Sequence, residues 1–303
     1  MTSPYLNLKF KLKFMSDAIV GEPANISRDL CEILSIGNIN ECRKCLILNR
    51  NIMLKRVLRA TSLRGILRAS AEYIIETLSL SLFNKSSICS YLKDSEYKPL
   101  CKIPLKDDSN KEKRIFIDAG WIDLNKNGNI ASWKNYPCLA CSFFGTSGLR
   151  SLIQVTFLKN NVKVFEREIN DKYVSKKYYI FSHQAITRKR RLFLEVIKKN
   201  SRFDFNILLL KPLIKKLYVK GDFSIEEVGV SIIWLSFLPI NAGLIRFGRF
   251  KSRGLGHIQI ISESESFNKI ANILNTKENS DNITRKSIEI IKNELNNRLS
   301  SLF

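Results

Sequence analysis

The 303-residue sequence predicts a mixed fold in which strands and helices share one chain, and three observations carry that expectation. Leu6, Leu8, Phe10, Leu12 and Phe14 alternate with Asn7, Lys9, Lys11 and Lys13, the period of a half-buried strand over about 5–15. Leu63, Leu67, Ala71, Ile74 and Leu78 recur at helical spacing and mark one buried helix face. Ser224 with Glu227 three residues on makes a capping box, flanked by the staple Phe223 and Val228, at the head of a third apolar stretch.

Each element has its own signals. Thr61 or Ser62 suits the N-cap of the first of these helices. The stretch after Ser224 is apolar on nearly all sides. Ser231, Ser236, Pro239 and Asn241 interrupt the run from Val228 to Ile245, so it reads as a buried helix rather than a membrane span, with Pro239 ending it. Short strands are expected at 114–118, 152–158 and 257–261. Residues 83–137 are polar and lysine-rich and read as an insertion. Ile288, Ile291, Leu295, Leu299 and Leu302 lie three or four apart. They give 276–303 an amphipathic helix, folded onto the body or docked on a neighbouring subunit. The alternation at the N-terminus is not the unbroken apolar core of a secretory signal.

Charge narrows the partners. Lys plus Arg number 50 against 28 Asp plus Glu, a net charge of +22, which attracts polyanions over long range. Nucleic acid is the first candidate, ahead of an anionic membrane surface or an acidic protein. A hydrophobic content of 45% excludes a disordered chain. Seven cysteines, an odd number, without an export signal point to a reducing cytoplasm and to thiols free to ligate metal.

Gly248 to Gly256 is the most telling segment. Its three glycines allow tight turns and close backbone approach, and Arg249, Lys251 and Arg253 alternate along it as cationic donors. Such a loop suits phosphates; a glycine hairpin with solvated charges is the alternative. Arg64 and Arg68 sit near the positive end of a helix dipole, a placement that an anion would relieve, although two solvated arginines would also account for it. From 172 to 220 basic residues, with Arg188-Lys189-Arg190-Arg191 at the centre, mingle with Tyr173, Tyr178, Tyr179, Phe181, Phe193, Phe203 and Phe205. That mixture suits single-stranded RNA, with one or two rings on the ligand and the rest in the core. The pairs Cys42/Cys45 and Cys138/Cys141 together would satisfy a tetrahedral structural zinc, although no short spacing forces them together. Otherwise Cys138 and Cys141 are small buried hydrophobes.

Four segments in order resemble those of the RAMP superfamily, the RNA-binding proteins of CRISPR systems. They are the first strand ending near Val20-Gly21, Ala60 to Arg68, Cys138 to Gly145, and Gly248 to Gly256. The second is similar to the family's "(G/T)SS(L/I)(K/R)GxLR" signature. The third is similar to "CxxCxLFG", with Phe143 in place of the usual leucine. Ala185-Ile186-Thr187-Arg188, with Glu195 and Phe203 downstream, resembles the segment before and within the thumb of backbone subunits. The resemblance implies an α+β, ferredoxin-like (RRM-like) core over 1–275 with inserted thumb and lid elements at about 16–58, 83–137 and 160–220. It also implies a guide-RNA-binding subunit of a type III effector, partnered by guide RNA, target RNA and other RAMP subunits, with no membrane. Ser62, Arg64 and Arg68 would contact the guide from the first helix. Arg249, Lys251, Arg253 and the backbone of Gly254 to Gly256 would do so from the loop. Cutting of target RNA would require a loop aspartate with Mg²⁺ or Mn²⁺. Asp29 is the candidate and Asp17 a poorer one, on a loop that departs from the family's "GxxD" pattern. A non-cutting, end-capping subunit is the alternative. A CRISPR RNA-processing endoribonuclease would use His, Tyr and Lys, but only His183 and His257 exist and neither lies near the first helix. A basic protein- or membrane-interaction module is the reading outside this class.

Overall fold

Alternation in the first strand sorts its side chains onto two faces. In the computed structural model Leu8, Phe10, Leu12 and Phe14 of β1 (Tyr5–Phe14) are fully buried, while Lys9, Lys11 and Lys13 lie on the other face. The structure describes residues 3–19, 57–84, 86–88, 114–117, 120–123, 138–145, 150–157, 166–168, 174–179, 192–212, 215, 218–249 and 251–299. Asp29, Cys42, Cys45, His183 and the Arg188–Arg191 run lie outside them.

After β1 come β2 (Val57–Arg59) and α1 (Ala60–Phe83), then a hairpin of β3 (Arg114–Ile117) and β4 (Gly120–Asp123). The short helix α2 (Leu139–Phe144) precedes β5 (Ile153–Phe157). Next are β6 (Glu166–Glu168), which pairs with β2, and the hairpin of β7 (Val174–Tyr179) and β8 (Leu192–Ile197). Then β9 (Arg202–Leu210), α3 (Ile225–Asn241) and β10 (Ile258–Ser262) follow. Two helices, α4 (Ser264–Ile273) and α5 (Ser280–Leu299), close the described chain.

The main sheet has the order β10–β1–β9–β5, antiparallel throughout. Without the outlying pairs, its succession is β-α-β-β-α-β, so the α+β class read from the sequence holds. Helices α1 and α3 pack on each other and on the apolar sheet face, where Phe10 meets Phe205 at 5.6 Å and Phe237 at 5.0 Å. Phe203 meets Phe14 at 5.8 Å. Phe203 and Phe205, which fall within the basic, aromatic stretch of the sequence, are therefore core residues and not stacking platforms.

Two boundaries differ from the sequence reading. Helix α1 begins at Ala60, directly from β2, so Thr61 and Ser62 lie in its first turn and no cap residue intervenes. Its predicted stripe is otherwise as read: Leu63, Leu67 and Ala71 are buried, and Ile74 and Leu78 pack against the core. The capping box of α3 forms in both directions, Ser224 N to Glu227 Oε2 at 2.7 Å and Glu227 N to Ser224 Oγ at 3.1 Å. Pro239 does not end that helix, which runs on to Asn241. A proline in the final turn removes one N–H, and its own carbonyl then accepts from Leu244 N at 2.9 Å. No described helix is long and apolar enough to cross a membrane.

The C-terminal helix folds onto the body. Ile283, Ile290, Ile291 and Leu295 are buried as α5 packs on α3. Unforeseen in the sequence is an ion pair in that interface: Glu294 and Arg298 are both buried, Oε1 to Nε at 2.7 Å. Glu294 also accepts from Lys220 N and Gly221 N, each at 2.9 Å. Arg298 donates to Tyr218 O and, at 3.3 Å, to Ser142 Oγ. Removing one partner of such a pair strands the other charge. Glu294→Ala should cost about 3 kcal/mol in urea unfolding, and pairing it with Arg298→Met should recover part of that loss.

Candidate nucleic-acid interface

The basic loop is built by its own backbone. Gly243, at φ +75°, turns the chain out of α3, and Phe247 is buried beneath the loop. Phe247 N donates to Gly256 O at 2.7 Å, Arg249 N to Ile19 O at 3.0 Å and Gly256 N to Asp17 O at 2.8 Å. Gly248 and Gly256 have φ of +81° and +78°, and an added Cβ would lie 2.1 Å from Ile19 O and 1.8 Å from Phe247 O respectively. These two glycines therefore admit the protein's own chain. Gly256 is buried with both backbone groups used, which removes it from the expected ligand contacts. Gly254, exposed at φ +84°, directs its N–H to Lys251 O at 3.2 Å, closing a 3₁₀ turn over Lys251–Arg253. Arg249, Lys251 and Arg253 are exposed. Arg246, which the sequence reading passed over, braces the loop from Nε to Gly243 O at 3.1 Å and from Nη1 to Lys251 O at 3.4 Å.

Two titratable groups beside the loop are structural. Asp17 Oδ1 accepts from Lys199 N at 2.9 Å while its carbonyl holds Gly256, so it joins the loop to the turn between β8 and β9. His257 N donates to Ser16 Oγ at 2.9 Å, and its Nε2 lies 3.2 Å from Asn241 O. It leads into β10, as the sequence reading had it.

Opposite the loop stands the first part of α1. Ser62, Gly65, Ile66 and Ala69 face Ile245, Phe247, Gly248 and Lys251 across a cleft of about 290 Å³. The helix start and the basic loop thus share one side of the molecule, as the sequence reading requires. Arg64 and Arg68 do not line this cleft. Arg64 donates to Phe144 O; Arg68 reaches Glu72 Oε1 and Gly145 O, each at 2.8 Å, and Cys141 Sγ at 3.2 Å. The carbonyls at the end of α2 are orphan acceptors that cations suit. Burial, and then the charge of Arg68, lower the pKa of Arg64. Burial pulls on Arg68 as well, but the hydrogen bond to Glu72, with the electrostatic pull of Cys141 and Glu72, raises its pKa overall. The expected phosphate contacts at these two positions are thus corrected in part: each half-buried guanidinium fastens the segment from Cys138 to Gly145.

That segment explains its cysteines. Cys138 caps α2, its Sγ accepting from Cys141 N at 3.5 Å, and both thiols are buried. Two sulfurs make half a tetrahedral zinc set, and among the described residues no group of three metal-type ligands forms. The arrangement fits a helix cap and an arginine acceptor.

The RAMP superfamily pattern matches residues 46–259, and the chain belongs to that superfamily. No curated protein sequence matches it. Among solved structures it is similar to a chain of a "Type IV-B CRISPR Complex", at 11% identity and a TM-score of 0.41 over 86% of this chain and 91% of that one.

Arg68→Ala should cost about 2 kcal/mol in urea unfolding, through two hydrogen bonds lost at α2 and one to Glu72 within α1. Lys251→Ala, on an exposed turn, should shift stability by no more than about 0.5 kcal/mol.

Proposed function

We propose that the protein is a guide-RNA-binding subunit of a CRISPR effector complex, of type III as the sequence resemblance implies. The observation that carries this reading is the shared cleft, with Ser62 on one wall and Lys251 on the other. Around it Arg249 and Arg253 extend a positive rim on a loop fixed at three backbone points. Phosphates bind such donors without regard to sequence. Arg64 and Arg68 act mainly by holding α2 against α1, with the guide passing their outer edges. Guide RNA, target RNA and neighbouring RAMP subunits are the partners in this reading. The β-α-β-β-α-β succession supports its ferredoxin-like core. The processing-ribonuclease alternative finds no support at His257, whose ring is engaged with Asn241 O.

Single substitutions Arg249→Ala, Lys251→Ala and Arg253→Ala should each weaken binding to unrelated single-stranded RNAs by similar factors. Each should also reduce the slope of log affinity against log salt by about 0.7. Losses confined to one sequence would contradict backbone recognition. Target cutting, if this subunit performs it, is assigned to Asp29. In the assembled complex with Mg²⁺, Asp29→Ala should abolish cutting and leave RNA binding intact, and unchanged cutting would remove Asp29 from the reaction.

A further inference from the structure

Strand pairing places Lys13 and Arg202 where the fold gains nothing from them. They stand directly opposite each other on β1 and β9. Each alternates with buried phenylalanines, so both lie on the sheet face turned away from α1 and α3. Like charges opposed in this way repel and weaken a sheet. The other lysines on this face of β1 are balanced. Lys11 stands opposite Asp204 and 3.6 Å from Glu263, and Lys9 lies 3.8 Å from Glu265. On its other side Lys13 faces Gln259 of β10, which carries no charge. Among the described residues no carboxylate pairs with Lys13 or Arg202.

This pair continues the basic loop. Gln259, the strand partner of Lys13, follows Gly256 by about 10 Å of extended chain. Lys199, exposed in the turn before β9, is held by its N–H on Asp17 Oδ1, and the Asp17 carbonyl fixes Gly256. Lys199, Lys13 and Arg202 therefore carry positive charge from the loop, past the end of β1, onto the outer sheet face. The acidic groups at the margin are already engaged: Asp204 stands opposite Lys11, and Asp17 accepts from Lys199 N. Lys13 is half-buried and Arg202 exposed, so their charged ends are open to a ligand from outside. An anion between them converts the repulsion into two charge-assisted contacts. We propose that Lys13 and Arg202 hold a backbone phosphate of an RNA strand that leaves the basic loop across the end of β1. The site is separate from the cleft between α1 and the loop. It rests on the RNA-binding function proposed above and adds a second place where the strand is held.

The test titrates the full chain with single-stranded oligouridine over a range of salt. Lys13→Ala and Arg202→Ala should each weaken binding roughly fivefold at about 0.1 M salt and lower the slope of log affinity against log salt by about 0.7. Lys9→Ala removes the same charge from the same face of β1. It lies about 13 Å from Lys13, beyond the Debye length of about 10 Å at that salt, and should bind as the wild type does. Arg202→Glu, which sets unlike charges opposite each other, should melt about 1 °C above the wild type and bind oligouridine more weakly than Arg202→Ala. Equal losses in Lys9→Ala and Lys13→Ala would reduce the effect to net charge and overturn the site. Unchanged binding in Lys13→Ala and Arg202→Ala also overturns it, leaving the pair to a carboxylate of a protein neighbour while RNA binding at the loop stands. A lower melting temperature in Arg202→Glu shows that the fold itself uses the arginine, which equally overturns the site. A wild type that binds no oligouridine sinks the RNA-binding function and this site together.

Discussion

The backbone of the basic loop lies against the chain leaving β1, and the position of the cleft depends on that contact. Gly256 N reaches Asp17 O, and Arg249 N reaches Ile19 O, only because Gly248 and Gly256 lack side chains. Asp17 also holds the turn entering β9, so one short segment ties together β1, the loop and the neighbour strand. Phe247, sealed beneath by its contact with Phe14, anchors the loop to the core from inside. Charges carried by a loop fixed this way keep their place relative to α1. Such preorganisation lowers the entropy lost when a flexible strand binds.

A chain this basic must also place many of its cations without a ligand. Several arginines solve this by ending on backbone oxygens or on a carboxylate, Arg246 at the basic loop among them. Arg64 and Arg68 converge on the end of α2, and Arg298 reaches Tyr218 O and Ser142 from α5. A planar guanidinium with five donors can satisfy several acceptors at once, which a lysine cannot do with the same geometry. The cysteine-bearing segment thus becomes a hub joining α1 to α5. Arg249, Lys251 and Arg253 of the basic loop are instead exposed.

Much of the fold was legible because its signals are local. Alternation in β1, the stripe of α1 and the capping box at Ser224 each depend on neighbours within a few residues. The approximate position of the cleft was also legible, from glycines and basic residues in one loop and a motif at one helix start. The use of individual long side chains was not. Spacing places Arg64 and Arg68 on a helix face, but whether a flexible guanidinium turns to solvent or to a carbonyl is decided by α2, which lies far along the sequence. The same holds for Glu294 and Arg298, whose partners at 218–221 come from a distant loop. Phe203 and Phe205 resembled stacking residues because they are aromatic in a basic stretch, yet strand pairing with β1 turns them inward.

Charge and shape then divide the work of recognition. A net charge of +22 draws in any polyanion, and in the proposed function the exposed cations of the loop would hold phosphates of any sequence. Neither property distinguishes a guide strand from a duplex. Bases in a duplex are stacked and paired, whereas a single strand is thin and flexible enough to follow a narrow groove. Under the proposed function, preference for a single strand would accordingly come from shape, because the cleft of about 290 Å³ between α1 and the loop is too small for a duplex.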